Sequence, residues 1–221
     1  MAPSAAIESA PMGPVRGLLF DAMGTLIGLR ASVGTTYAAA AAGHGLELEA
    51  AAIDQVFGAV LRQAPPLAFS GLEGPELLAA ERRWWGERID ETVQAAGGSP
   101  APEALRHELF ERYADPSLWR VYPGVAEHLQ RWREQGLALA VVSNFDSRLI
   151  ALLEGLALAP WFTAVVVSSA AGAAKPDPLP FQRALEALEL EPQQVWHIGD
   201  SPEDEAGARA AGLRCLLIRH P

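Results

Sequence analysis

Two rhythms of apolar and polar positions run along this chain, and the change from one to the other divides it. Val15 to Phe20 is a short, mostly apolar run that stops abruptly at Asp21, the pattern of a strand buried in a parallel sheet. From about Ser32 to Tyr113 no strand pattern occurs; apolar residues recur at helical spacing between Gly and Pro breaks. Thr35 to Ala42 and Ala50 to Gln63 read as helices, the second stopped by Pro65-Pro66. Pro75 opens a longer helix to about Ala96, with Leu78, Trp85, Ile89 and Val93 on one face and Gly97-Gly98 as its stop. Pro102 starts a fourth helix through Tyr113.

After Pro116 helix and strand alternate. Helices are expected at Pro123–Gln135, Ser147–Leu156, Pro178–Leu190 and Pro202–Ala211. Strands are expected at Leu137–Val142, Thr163–Val167, Val195–Ile198 and Leu213–Ile218. Repeated βα units imply an α/β fold, a doubly wound parallel sheet with helices on both faces. The expected organisation is a core of residues 15–29 plus 116–221, an inserted α-helical block at 30–115, and a frayed Ala- and Pro-rich tail at 1–14.

In such sheets ligands bind beyond the carboxyl ends of the strands, where strand order reverses. The polar residues at those positions are Asp21, Ser143-Asn144, Lys175 and Gly199-Asp200. Lys175 is the sole lysine among 17 basic residues in 221, all the others being arginine. A compact ammonium on a flexible stem approaches one anionic oxygen more closely than a planar guanidinium does, which suits an anion-handling site. Composition narrows the partners. A net charge of −10 without a basic cluster argues against nucleic acid, but it does not exclude a small anionic substrate, the expected partner, because local groups set the potential of a site. Cys215 is the single cysteine, and histidines 44, 107, 128, 197 and 220 show no ligand spacing, so no cysteine or histidine metal cluster is expected. No apolar run nears the ~20 residues that span a bilayer, so no membrane partner is expected and a cytoplasmic location is. No pattern specifies an oligomeric state.

Phe20-Asp21-Ala22-Met23-Gly24-Thr25-Leu26, Ser143-Asn144, Lys175-Pro176 and Gly199-Asp200-Ser201-Pro202-Glu203-Asp204 together resemble the four motifs of the haloacid dehalogenase superfamily. The order and spacing cover almost the whole chain, and the helical block matches a cap inserted after the first motif. The resemblance implies a Rossmann-like core and a hydrolase in which the Asp21 carboxylate attacks the substrate and forms a covalent ester that water breaks. It implies that Gly24 permits a tight turn fixed by Thr25, and that Ser143 and the amide of Asn144 donate to oxygens of the reacting group. Lys175 would hold negative charge on nucleophile and transition state, worth on the order of 3 kcal/mol in a dry site. Asp21, Asp200 and the main-chain carbonyl of Met23 would hold Mg²⁺. Asp204 would contact that metal through water or brace Lys175, or serve simply as a helix-start carboxylate. Arg30 and Arg62 are candidates for contacting an anion from the cap. His197 reads as a packed core residue, and Trp84-Trp85 as cap core with one ring available to line the cleft.

One position departs from the pattern. Phosphatases of this superfamily typically carry a second Asp two residues after the nucleophile to protonate the leaving group; here that residue is Met23. A haloacid dehalogenase needs no such acid, because halide leaves unprotonated, but it does without the metal and usually lacks the Gly-Asp pair present at 199–200. Phe181 also stands where dehalogenases often carry an aromatic hydroxyl. The expectation is therefore an Mg²⁺-dependent phosphohydrolase acting on a small phosphorylated metabolite, with a 2-haloacid dehalogenase and a catalytically weak binding module as alternatives.

Overall fold

A computed structural model describes residues 14–219; all of the tail at 1–14 except Pro14, and also His220, lie outside the described residues. Five strands form one parallel sheet: β1 (Gly17–Phe20), β4 (Ala138–Ser143), β5 (Ala164–Val167), β6 (Val195–Gly199) and β7 (Arg214–Leu217). Their spatial order is β5-β4-β1-β6-β7. The chain steps outward from β1 on one side and returns to add β6 on the other, so β1 sits at the switch point. Phe20 pairs with Val141 on one side and Ile198 on the other, which brings Asp21, Ser143 and Asp200 out at the same sheet edge.

Strand alternation builds both faces. Leu18, Phe20, Leu139 and Val141 join one buried cluster, while Leu19, Ala140 and Val142 join the opposite one with Phe181, Ala184 and Leu185. Between these strands lie α5 (Val125–Glu134), α6 (Arg148–Gly155), a one-turn α7 (Ser168–Ala171), α8 (Leu179–Leu188) and α9 (Pro202–Ala210). Each long expected helix and strand of this half is present within two residues of its expected ends, while α7 is too short to leave a periodic trace.

Two strands were not expected. β2 (Ile27–Leu29) and β3 (Trp119–Val121) form an antiparallel ribbon, with Leu29 opposite Trp119. Three residues are too few to show a period of two. Just beyond the ribbon, the Arg30 N–H donates to the Leu118 carbonyl (2.8 Å), tying the departing chain to the returning one. The chain between them forms four helices, α1 (Val33–Gly43), α2 (Ala50–Gln63), α3 (Gly74–Ala95) and α4 (Glu103–Arg112). They enclose a third apolar cluster around Tyr37, Ile53, Ile89, Val93 and Leu105.

Helix α3 corrects one expectation. Ile89 and Val93 are buried as expected, but Leu77 and Trp84 are buried rather than Leu78 and Trp85. The buried line continues through Glu81, Arg88 and Thr92, and polar residues on it hid its direction in the sequence. Glu81 is wholly buried because it accepts from Ser147 N (2.9 Å), Ser147 Oγ (2.5 Å) and Ser169 Oγ (2.6 Å), fastening the helical insertion to the α/β core. Among the described residues no helix is long and apolar enough to cross a membrane.

Candidate active site

The turn after β1 is shaped by Gly24, whose φ of +93° suits glycine. A Cβ there would stand 2.2 Å from Asp200 Oδ2, so only a glycine lets the Asp200 carboxylate pack against this turn. Gly199 has the matching role: a Cβ would meet Asp204 Cγ at 2.3 Å. Two glycines thus permit three carboxylates, Asp21, Asp200 and Asp204, to place oxygens within 4.8 Å of one another.

Lys175 stands among them, its side chain only 3% exposed, with Nζ donating to Asp21 Oδ1 and Asp204 Oδ1, both at 2.6 Å. Burial works against its ammonium, but the charges of Asp21 and Asp204 outweigh that and raise its pKa above the ordinary value. Ser143 Oγ donates to the same Asp21 oxygen at 3.2 Å. Both bonds fall on Oδ1, so Oδ2 is the Asp21 oxygen without a side-chain donor among the described residues.

Asp204 clarifies its own role. Oδ1 faces Lys175 Nζ and His197 Nε2 (2.8 Å); Oδ2 accepts from Ser201 N (3.1 Å), Ser201 Oγ (2.7 Å) and Asp200 N (3.3 Å). Five partners use the roughly four lone-pair directions of a carboxylate. Direct metal ligation by Asp204 is therefore not supported; it braces Lys175 and closes a capping box at the start of α9. Burial alone would raise its pKa, but the His197 hydrogen bond and the Lys175 charge hold the carboxyl far below the usual range. His197 is buried in β6, edge-on to Phe181 at 4.9 Å, and burial depresses its pKa despite the Asp204 bond. The packed-core reading of this histidine agrees with its position, but its contact with Asp204 had no trace in the sequence.

The remaining candidates separate. Asn144 lines the cleft, but its side-chain amide is occupied by the Lys175 backbone: Nδ2 donates to Lys175 O (2.9 Å) and Oδ1 accepts from Lys175 N (2.7 Å). Its side chain positions the lysine loop instead of reaching a ligand. Arg62, in the last turn of α2, lines the same cleft with Asp21, Ser143, Lys175 and Asp200. Arg30 is exposed beyond β2 and does not line it. Thr25 is buried in the turn and lines a different hollow, with Pro123 and His128, so it belongs to the turn and not to substrate binding. Met23 is half-exposed and lines the cleft.

Three carboxylates and one ammonium leave two negative charges uncompensated. Asp200 reports this: burial first, then the charges of Asp21 and Asp204, push its pKa up. Hard carboxylate oxygens with excess negative charge suit a divalent cation such as Mg²⁺, so the donor set fits that ion.

Sequence reasoning missed one group. Asp146 and Arg148 are buried together just past Ser143, with Arg148 Nε and Nη2 donating to the two Asp146 oxygens at 2.7 and 2.6 Å. Trp85 Nε1 reaches across from α3 to Asp146 Oδ2 (2.6 Å), and the Arg148 guanidinium lies 3.8 Å from the Phe110 ring centroid. Asp146 and Arg148 looked like ordinary polar residues at a helix start.

A parallel sheet thus ends, at its central strand, in a buried carboxylate that faces a buried lysine and a second acidic loop. The sequence profile of the haloacid dehalogenase-like hydrolases matches residues 15–212, and the chain belongs to that family. It is 40% identical over 211 residues to haloacid dehalogenase-like hydrolase domain-containing protein 3 of Bos taurus, covering 94% of this chain and 83% of that protein. It is 34% identical over 191 residues to a phosphoglycolate phosphatase of Nitrosospira multiformis, covering 78% and 84%. In fold it resembles L-2-haloacid dehalogenase from Xanthobacter autotrophicus, with a TM-score of 0.66, 23% identity and coverage of 92% and 77%.

Proposed function

We propose that this hydrolase is an Mg²⁺-dependent phosphohydrolase that uses Asp21 as nucleophile on a small phosphorylated metabolite. The observation that carries this reading is the charge imbalance around Asp21, Asp200 and Asp204, since a metal-free dehalogenation would not need it. Similarity to a phosphoglycolate phosphatase also supports it. Asp21, Asp200 and the Met23 carbonyl would hold Mg²⁺, which supplies positive charge against phosphoryl oxygens.

The protein's own groups do the rest. Asp21 Oδ2 forms a bond to phosphorus as the ester P–O bond breaks, and its electron pair leaves on the substrate oxygen. Lys175, held by Asp204, keeps a positive charge beside the developing negative charge. Ser143, giving up its bond to Asp21 Oδ1, and the main-chain amide of Asn144 would donate to the phosphoryl group. Water then attacks phosphorus, releasing inorganic phosphate and restoring the Asp21 carboxylate. Met23 can neither protonate the leaving oxygen nor activate this water, a loss of about 10²–10⁴-fold on an ordinary alkyl ester.

Met23 is also what favours the second reading, a 2-haloacid dehalogenase. Phosphate release from p-nitrophenyl phosphate and a metabolite panel, and halide release from L-2-chloropropionate, each with Mg²⁺ and with EDTA, separate the two. Phosphate release that EDTA stops and Asp21→Asn abolishes is expected. Halide release insensitive to EDTA overturns the phosphohydrolase reading.

A further inference from the structure

Covalent catalysis through Asp21 needs a proton moved twice: given to the departing oxygen, then taken from the water that breaks the phosphoryl-Asp21 bond. At position 23 a thioether can do neither. The first need depends on the substrate, because a good leaving group departs as an anion. The second does not, because the bond on Asp21 is the same whatever supplied the phosphoryl group.

Among the described residues the cleft offers no replacement base. Its ionisable walls are Asp21, Arg62, Lys175, Asp200, Glu203 and Asp204. Lys175 is committed as an ammonium between Asp21 Oδ1 and Asp204 Oδ1, both at 2.6 Å, and a guanidinium such as Arg62 does not give up its proton. Asp204 already meets Lys175, His197, Asp200 N and both donors of Ser201, so it has no lone pair left for a water. Asp200 belongs to the cation site in the phosphohydrolase reading. Glu203 is exposed in the first turn of α9, and its carboxylate lies outside the cluster that brings Asp21, Asp200 and Asp204 oxygens within 4.8 Å of one another. His197 is wholly buried in β6 and does not line the cleft.

We propose that this chain takes a phosphoryl group from acyl phosphates and keeps it as a long-lived acyl phosphate on Asp21, a proposal that rests on the phosphohydrolase reading. In the loading step Asp21 Oδ2 bonds to phosphorus while the bond from phosphorus to the donor's acyl oxygen breaks, and the electron pair leaves on a carboxylate. Carboxylic acids ionise near pH ~4, so this leaving group needs no proton and the thioether is no handicap. One mixed anhydride replaces another. In the unloading step a water oxygen bonds to phosphorus, the P–Oδ2 bond breaks with its electron pair returned to Asp21, and the water's proton goes to phosphate or solvent without a positioned base. A missing base slows that step by about 10²–10⁴-fold; against a typical turnover of roughly 10 s⁻¹, the phosphorylated state has a half-life of about 10 s to 10 min. Acyl phosphates load the protein faster than water unloads it, and the phosphorylated form accumulates.

The test is intact-protein mass spectrometry of the full-length protein incubated with acetyl phosphate and Mg²⁺, freed of donor and acid-quenched at intervals, with released phosphate counted in parallel. One added phosphoryl group on most molecules is expected, absent from Asp21→Asn and lost with a half-life of about 10 s to 10 min. Met23→Asp should shorten that half-life at least about 10-fold, and Glu203→Gln should leave it within about twofold. Rapid phosphate release from wild-type protein that never accumulates the phosphoryl group overturns the proposal and leaves the phosphohydrolase reading standing, whether or not either variant folds. A half-life that Met23→Asp leaves unchanged, or that Glu203→Gln lengthens about 10-fold, also overturns it, the second by identifying the base. Neither phosphorylation nor phosphate release, from acetyl phosphate or from p-nitrophenyl phosphate, removes the phosphohydrolase reading and the proposal with it.

Discussion

Removing Asp146 should destabilise the protein far more than a typical surface change, because it strands a buried cation. Asp146 is fully buried and Arg148 nearly so. In Asp146→Ala the guanidinium loses both of its hydrogen bonds to the Asp146 carboxylate and keeps the Phe110 carbonyl and two aromatic faces, Phe110 and Trp85. Arginine does not shed its charge to escape. Trp85 Nε1 and the Arg148 N–H lose an acceptor as well. Breaking a buried ion pair by deleting one partner costs about 3–5 kcal/mol, which for a chain of this size lowers Tm by on the order of 10 °C. Removing both charges costs less, since an apolar replacement of a buried pair is often neutral. Asp146→Ala/Arg148→Met should therefore be more stable than Asp146→Ala alone. Urea unfolding of the wild type, both single variants and the double variant gives the coupling directly. Additive effects, or an Asp146→Ala cost under about 1 kcal/mol, would refute the stranded-charge argument.

Three further outcomes follow from the site and its surroundings. Lys175→Arg keeps the charge but forces a wide planar group between Asp21 Oδ1 and Asp204 Oδ1, each 2.6 Å from the present nitrogen; kcat should fall about 10²-fold or more, and full activity would remove the argument for a compact ammonium. Met23→Asp restores a proton donor at the cleft, so turnover of alkyl phosphates should rise by about 10-fold or more in steady-state assays; no gain would contradict the leaving-group argument. Burial, followed by the charges of Asp204 and Glu205, pushes the Cys215 thiol from 9.0 up to about 11, so alkylation by iodoacetamide should accelerate through pH 11 in the folded protein and near 9 when unfolded. The unfolded chain ionises first, so this thiol's contribution to stability is present below pH 9 and is lost as pH rises toward 11; a folded midpoint of 9 would contradict the burial effect.

How much of this was legible in the sequence depended on the length scale of the signal. Val15 to Phe20 ending at Asp21, and the βα rhythm after Pro116, are short-period patterns, and they predicted the parallel sheet and the ends of its helices. The polar residues past those strand ends, Asp21, Ser143, Lys175 and Asp200, could be chosen because strand ends in such a sheet share an edge. The ribbon at Ile27–Leu29 and Trp119–Val121 could not, since three residues carry no period.

Side-chain partners were decided in three dimensions. Asp204 lies 29 residues from Lys175 and seven from His197, and only folding shows its oxygens engaged by them and by Ser201, which fits a bracing role for this carboxylate. Asn144 and Thr25 sit in the expected motifs, yet one amide holds the Lys175 backbone and the other residue turns into a separate hollow. An apolar cavity between the helical insertion and the core is still further from sequence. Its walls come from the turn after β1, β2, helices α1 to α4, the loop after β4 and the start of α6, and no local window contains them. Local pattern determined which residues stand at the sheet edge, because strand and helix periods are set by neighbouring residues; contacts between distant segments determined what each of those residues can bind.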